Sequence, residues 1–111
     1  MKNEVKPYVD YEHVMKIDMR ICEILTCEKV EKTEKLYKLS VKTGVDERTV
    51  ITGIAQHFTP EDLIGKKFPF IMNMEPRKIR GIESHGMIIM AETEEGKILP
   101  IQAAEVGNVV L

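Results

Sequence analysis

The sequence predicts an all-β domain: a five-stranded Greek-key barrel with a short helix between its third and fourth strands and further strands at the C-terminal end. Three observations predict it. Apolar and polar residues alternate over short runs separated by Gly, Pro and Asp. The strongest internal helix signal is confined to residues 59–65. A chain of 111 residues is enough for one compact core and too short for two ordinary ones.

Residues 1–9 are polar, include Pro7 and read as a tail or linker ahead of a folded unit spanning 10–111. Asp10 is placed to cap a helical turn over 11–15. From Ile17 the chain alternates, with Ile17, Met19 and Ile21 on one face and Asp18 and Arg20 on the other. Ile24 breaks that parity, which predicts a bulge or bend near Cys22 and Glu23. Residues 36–42 set Tyr37, Leu39 and Val41 opposite Lys38, Ser40 and Lys42, and Gly44 to Asp46 turn the chain into a third strand over 48–54. Within 59–65, Thr59 is the N-cap, Pro60 the first helical residue, Glu61 and Asp62 the first-turn acids and Gly65 the terminator. Residues 67–74 place Phe68, Phe70, Met72 and Met74 on one face, and Pro69, lacking an N–H, sets part of that strand at an edge. Residues 87–92 and 97–101 flank Thr93 to Gly96 as a hairpin, and 108–111 form a last strand packed away from the barrel closure. This order is that of an OB barrel. An SH3-like barrel, the main competitor, usually lacks the helix.

Sixteen basic and eighteen acidic residues give a net charge of −2, which alone argues mildly against a nucleic-acid partner. The distribution points the other way. Residues 66–80 hold Lys66, Lys67, Arg77, Lys78 and Arg80 against Glu75 alone, while 81–111 hold one basic and five acidic residues. Such polarity suits a polyanion bound on one side. No stretch approaches the ~20 apolar residues that cross a bilayer, and the first residues lack an apolar targeting core, so a cytoplasmic protein without a membrane partner is expected. Cys22 and Cys27, an odd number of residues apart on an extended segment, fall on opposite faces and stay reduced.

Several runs are similar, in order and spacing, to the tRNA-binding domain family. They are Ile17-Asp18-Met19-Arg20, Glu34-Lys35-Leu36-Tyr37, the third strand through Ile54, the helix run from Thr59 to Lys66, and 73–87. The last is the most specific: Asn-x-x-Pro-Arg-Lys-x-Arg-Gly-x-x-Ser-x-Gly-Met. The resemblance covers 10–111. It implies an OB fold that recognises the shape of tRNA, either as a free-standing homodimer or as a domain joined to the catalytic part of a methionyl-tRNA synthetase, with the C-terminal strands building the dimer. The polar lead before residue 10 resembles the linker preceding this domain in the synthetase. The family's tRNA-binding positions fall on Lys35, Asn73, Arg77, Lys78, Arg80, Ser84 and Met87 here. Cys22, Thr52 and His85 depart from the family's usual Gly, Ser and Gln.

The chemistry of these residues fits such a partner. Arg77, Lys78 and Arg80, on a connection between strands, reach phosphates without burial. Asn73 and Ser84 are neutral hydrogen-bonding groups suited to a 2′-hydroxyl or base edge. Met87 offers polarizable apolar area to an unstacked base, and His57 or Phe58 can stack one. Plainer readings stand beside these: a solvated basic turn, a core methionine, Asn73 and Ser84 satisfying turn backbone, and Lys35 as a surface lysine. Catalysis finds less support. Ser84 and His85 are neighbours facing opposite ways, His13, His57 and His85 are scattered, and the two cysteines lack a second pair at zinc spacing. No Gly-rich phosphate loop is present. The expectation is a non-catalytic binder with no cofactor and no metal, or else a purely structural dimerisation module.

Overall fold

A computed structural model describes residues 4–101 and 104–110. The helices are α1 (Tyr11–Met15) and α2 (Pro60–Leu63), and the strands are β1 (Met19–Lys29), β2 (Tyr37–Lys42), β3 (Glu47–Thr52), β4 (Lys67–Ile71), β5 (Arg77–Ile79), β6 (Ile82–Ser84), β7 (Met87–Ile88), β8 (Ala91–Glu92) and β9 (Ile98–Leu99). One antiparallel sheet runs β3-β2-β1-β4-β7, and β5-β6 and β8-β9 are separate two-stranded ribbons. The sheet curls until its outer strands meet. The His85 N–H donates to the Thr49 carbonyl at 2.9 Å, and the Ile51 N–H donates to Ser84 Oγ at 3.0 Å. This nearly closed five-stranded barrel, with α2 between β3 and β4, is the OB fold expected.

The length of β1 lets it serve two neighbours. Met19 to Glu23 pair with β4, and Glu23 to Lys29 pair with β2. The register shifts between Ile24 and Thr26, so the bulge lies two residues beyond the expected place. The inward parity is also the opposite of that expected. Cys22 and Ile24 enter the core, Ile17 is exposed, and Ile21, though buried, lies on the other face. Residues 107–110 run along the free edge of β1: the Gly107 N–H donates to the Ile21 carbonyl, the Ile21 N–H to Asn108 and the Val110 N–H to Met19. The last strand therefore joins the barrel edge rather than packing away from it. The bulge also restores Cys27 to the core side, so it and Cys22 share a face; both are free, and burial pushes each thiol up to about 11.

The core gathers Tyr37, Leu39, Val41, Val50, Phe68, Phe70 and Ile88 around Cys22 and Ile24, with Leu63 of α2 sealing one end. The alternation in β2 is as expected, and the Tyr37 hydroxyl donates to the Phe58 carbonyl at 2.6 Å. Asp62 accepts from the Thr59 N–H at 2.9 Å, as an N-terminal cap should. Likewise Asp10 accepts from the His13 N–H at 2.9 Å. Pro69 stands opposite Ile21 in a strand flanked by β1 and β7, so β4 is not an edge; its carbonyl accepts from the Ile89 N–H at 2.9 Å, just past the Phe70–Ile88 and Ile71–Met87 pairs. The expected 87–92 strand is interrupted at Ile89 and Met90, splitting into β7 and β8.

Candidate nucleic-acid interface

The 77–80 run forms a hairpin rather than a plain connection. β5 and β6 pair Arg77 with Ser84, Lys78 with Glu83 and Ile79 with Ile82. Between them Arg80 and Gly81 have φ of 54° and 79°, the two left-handed residues of a type I′ turn. Gly81 adopts this without penalty. Arg80, which has a Cβ, does so at a cost of about 1 kcal/mol. Alternation along the ribbon sets Arg77 and Ile79 on one face and Lys78 on the other, with Arg80 at the tip. All three cations are exposed, and none is in an ion pair among the described residues.

Below the Arg77 face lies a groove of about 330 Å³. Leu36 at the end of the β1–β2 loop, Gly53 just past β3, Met74 at the root of the hairpin, and Met87 of β7 form its walls. Met87 is 40% exposed, so it is a surface residue and not core. Its position is fixed by Gly86, where a Cβ would stand 3.0 Å from the Ile71 carbonyl oxygen. Lys35 is exposed beside Leu36, and its carbonyl accepts from the Ala55 N–H.

Two expected contact residues bond to backbone groups, Ser84 while also lining this groove. Ser84 is 5% exposed; its Oγ accepts from the Ile51 N–H and reaches the Gly86 carbonyl at 3.5 Å. In this arrangement the hydroxyl closes the barrel. The Asn73 amide joins the approach to β1: Oδ1 accepts from the Asp18 N–H at 2.8 Å and Nδ2 donates to the Lys16 carbonyl. His85 holds Glu83 through Nε2 at 2.6 Å. His57 and Phe58 line a different groove, with Lys66, Lys67 and Lys97. The basic block of the sequence is therefore divided in space. Lys67, at the far end of β4, is paired with Glu105 at 2.8 Å, which raises its pKa, whereas Arg77, Lys78 and Arg80 stand on the hairpin without an acidic partner among the described residues.

Leu36, Gly53 and Met74 were not singled out from the sequence. Met74 continues the 68, 70, 72 alternation past the end of β4, a signal that reads equally as core. Leu36 and Gly53 join it only because the barrel brings the β1–β2 loop to the end of β3. These are the connections an OB barrel uses for oligonucleotides: the loop between its first two strands and the one between its last two, here carrying the hairpin.

A barrel that raises unpaired cations on a rigid hairpin beside an apolar groove is an OB-fold module for nucleic acid. Residues 19–108 match the family model described as "Putative tRNA binding domain". The chain belongs to that family. Its relatives include the methionine–tRNA ligase of Cytophaga hutchinsonii, 49% identical over 108 residues, 95% of this chain and 16% of that ligase. The ligase of Porphyromonas gingivalis is 46% identical over 100 residues, 89% of this chain and 15% of the relative. The chain thus spans about a sixth of the length of the curated relatives it matches. A solved MetRS-related protein from Pyrococcus horikoshii superposes with a TM-score of 0.87 at 42% identity, covering 96% of this chain and all of that one. The CsaA chaperone protein of Picrophilus torridus gives 0.82 at 25% identity, over 94% of this chain and all of that one.

Proposed function

We propose that this chain binds tRNA by shape and phosphate backbone, as a non-catalytic homodimer in the cytoplasm, and that it serves a methionyl-tRNA synthetase as an appended domain or a free-standing equivalent. The observation that carries this reading is the hairpin. Arg77, Lys78 and Arg80 are exposed, lack acidic partners among the described residues and project in different directions from one ribbon. Cations held that way contact neighbouring phosphates of a folded RNA and carry no base sequence information themselves. Selection for tRNA then rests on where the phosphates stand in space. Aminoacylation is left to the catalytic part of the synthetase.

Titration of the protein with tRNA at two or more salt concentrations tests the reading. Arg80→Ala should weaken binding and lower the slope of log K against log salt by about 1, because one phosphate fewer is neutralised. An unchanged affinity and slope would remove Arg80 from the interface. A purely structural dimerisation module is the second reading. It is favoured by α1, which buries none of its residues and leaves Tyr11, Val14 and Met15 exposed. A dimer that binds neither tRNA nor duplex DNA of similar charge would decide for it.

A further inference from the structure

The groove under Arg77 is distinct in chemistry from the hairpin tip. Its walls are Leu36, Met74, Ile79 and Met87, apolar and partly thioether, with Arg77 at the mouth. Its volume, about 330 Å³, lies at the small end of the range for small-ligand sites, ~300–1,000 Å³. Thioether sulfurs make favourable contacts with aromatic rings. A flat apolar ring attached to an anion satisfies both wall and mouth. An acidic peptide satisfies the mouth but brings no ring as a matter of course.

We infer that this groove takes one unstacked base of the bound RNA, with Arg77 on the adjoining phosphate. The inference rests on the tRNA-binding reading and sharpens it: the ligand must offer an unpaired nucleotide beside the phosphates held by Lys78 and Arg80. Continuous duplex has phosphates but no free ring, and so fills half of the site. Gly53 provides the means to close the groove. It is exposed, its φ is not left-handed, and an added Cβ would meet only Leu36 Cδ2 at 4.0 Å. A larger side chain there occupies the groove without straining the backbone. Gly86 offers no such test, because its Cβ would press on the Ile71 carbonyl.

The experiment compares wild type, Gly53→Val and Met87→Ala, each first shown by circular dichroism to be folded. The probes are tRNA, a blunt RNA duplex of equal phosphate count, and a short RNA hairpin with 2-aminopurine in its loop. Wild type should prefer tRNA to duplex, the base contributing up to about tenfold of that preference, the scale of a thioether–ring contact. It should also raise the 2-aminopurine fluorescence as the base leaves its stack. Both variants should lose that signal and the base's share of the preference while keeping the salt slope, since every phosphate-binding cation is retained. No 2-aminopurine signal in wild type, or unchanged tRNA affinity in both variants, overturns the inference and leaves tRNA binding standing; equal affinity of wild type for tRNA and duplex overturns both. Failure of wild type to bind tRNA at low salt, or competition for the groove by an acidic peptide alone, overturns both.

Discussion

Arg80 is the residue at which stability and function pull apart. Its left-handed backbone would suit Gly better, and the charge it places at the hairpin tip has no internal partner among the described residues. Arg80→Gly should therefore leave thermal stability unchanged or raise it by up to about 1 kcal/mol, while weakening tRNA binding as Arg80→Ala does. Calorimetry beside a salt titration checks both halves. Ser84 is the reverse case. Ser84→Ala leaves the Ile51 N–H unpaired inside the barrel and should cost about 1–3 kcal/mol in urea unfolding, with the salt slope of binding intact. A large loss of affinity without loss of stability would instead assign the hydroxyl to the ligand. The identities of Arg77, Lys78, Arg80 and Met87 were legible at this scale, since the run from Asn73 to Met87 carries them. The occupation of Ser84 and Asn73 by backbone groups was not, because their partners, Ile51, Lys16 and Asp18, are 33 to 57 positions away.

Elements followed local chemistry where that chemistry was complete in itself. α2 is capped by Thr59 and Asp62 as expected, and β2 alternates as expected, because both patterns are finished within a few residues. β1 did not follow the simple reading. Alternation identifies a face but not which face is inside; here Cys22 and Ile24 face the core, Ile21 on the opposite face is buried too, and residues 107–110 bond along the strand's free edge. The β5–β6 hairpin was hidden because Arg80-Gly81 is a less familiar turn pair than Asn-Gly. The β2–β3 turn makes a pH prediction. Asp46 accepts from Arg48 Nε at 3.0 Å and from the Thr43 hydroxyl at 2.8 Å, and these partners hold its carboxyl below the usual range. A depressed carboxylate stabilises the fold above its unfolded pKa, near 3.9, and that contribution is lost as pH falls through the folded value. The gap in urea midpoint between wild type and Asp46→Asn should be constant above about pH 5 and narrow toward about pH 2. A gap that persists in acid would show that the turn depends on shape rather than charge.

At the scale of the whole molecule, the accessible surface is 7869 Å², against ~6,200 Å² for a compact chain of this mass. Part of the exposed apolar area borders one groove. Val14, Met15, Ile17, Met19, Val109 and Val110 border a groove of about 600 Å³ between α1, the start of β1 and the C-terminal segment. The homodimer proposed above would bury part of this border, a standard interface taking ~800 Å² from each partner. Val109→Asp should then shift a dimer toward monomer in sedimentation equilibrium at micromolar protein, since Val109 is 56% exposed in the single chain. A wild type that sediments as a monomer would instead leave α1 to another surface. Two linked copies raise affinity for one tRNA only if both hairpins reach it.

The class of the fold, the order of the barrel strands and their helix, and the exposed cations of the 77–80 run are legible along the chain. Period-two alternation, helix caps and a run of unburied charge are written within short stretches of chain, and short stretches can be read without knowing what lies opposite. Long-range pairing sets which face of β1 is inside, joins the C-terminal strand to its edge, neutralises Lys67 with Glu105 but leaves Arg77 without an ion pair among the described residues, and brings Leu36, Gly53 and Met74 together in a groove. Each of these depends on which distant segment arrives at a given surface. That is settled by curling the sheet into a barrel, where packing and pairing over the whole chain outweigh any local preference.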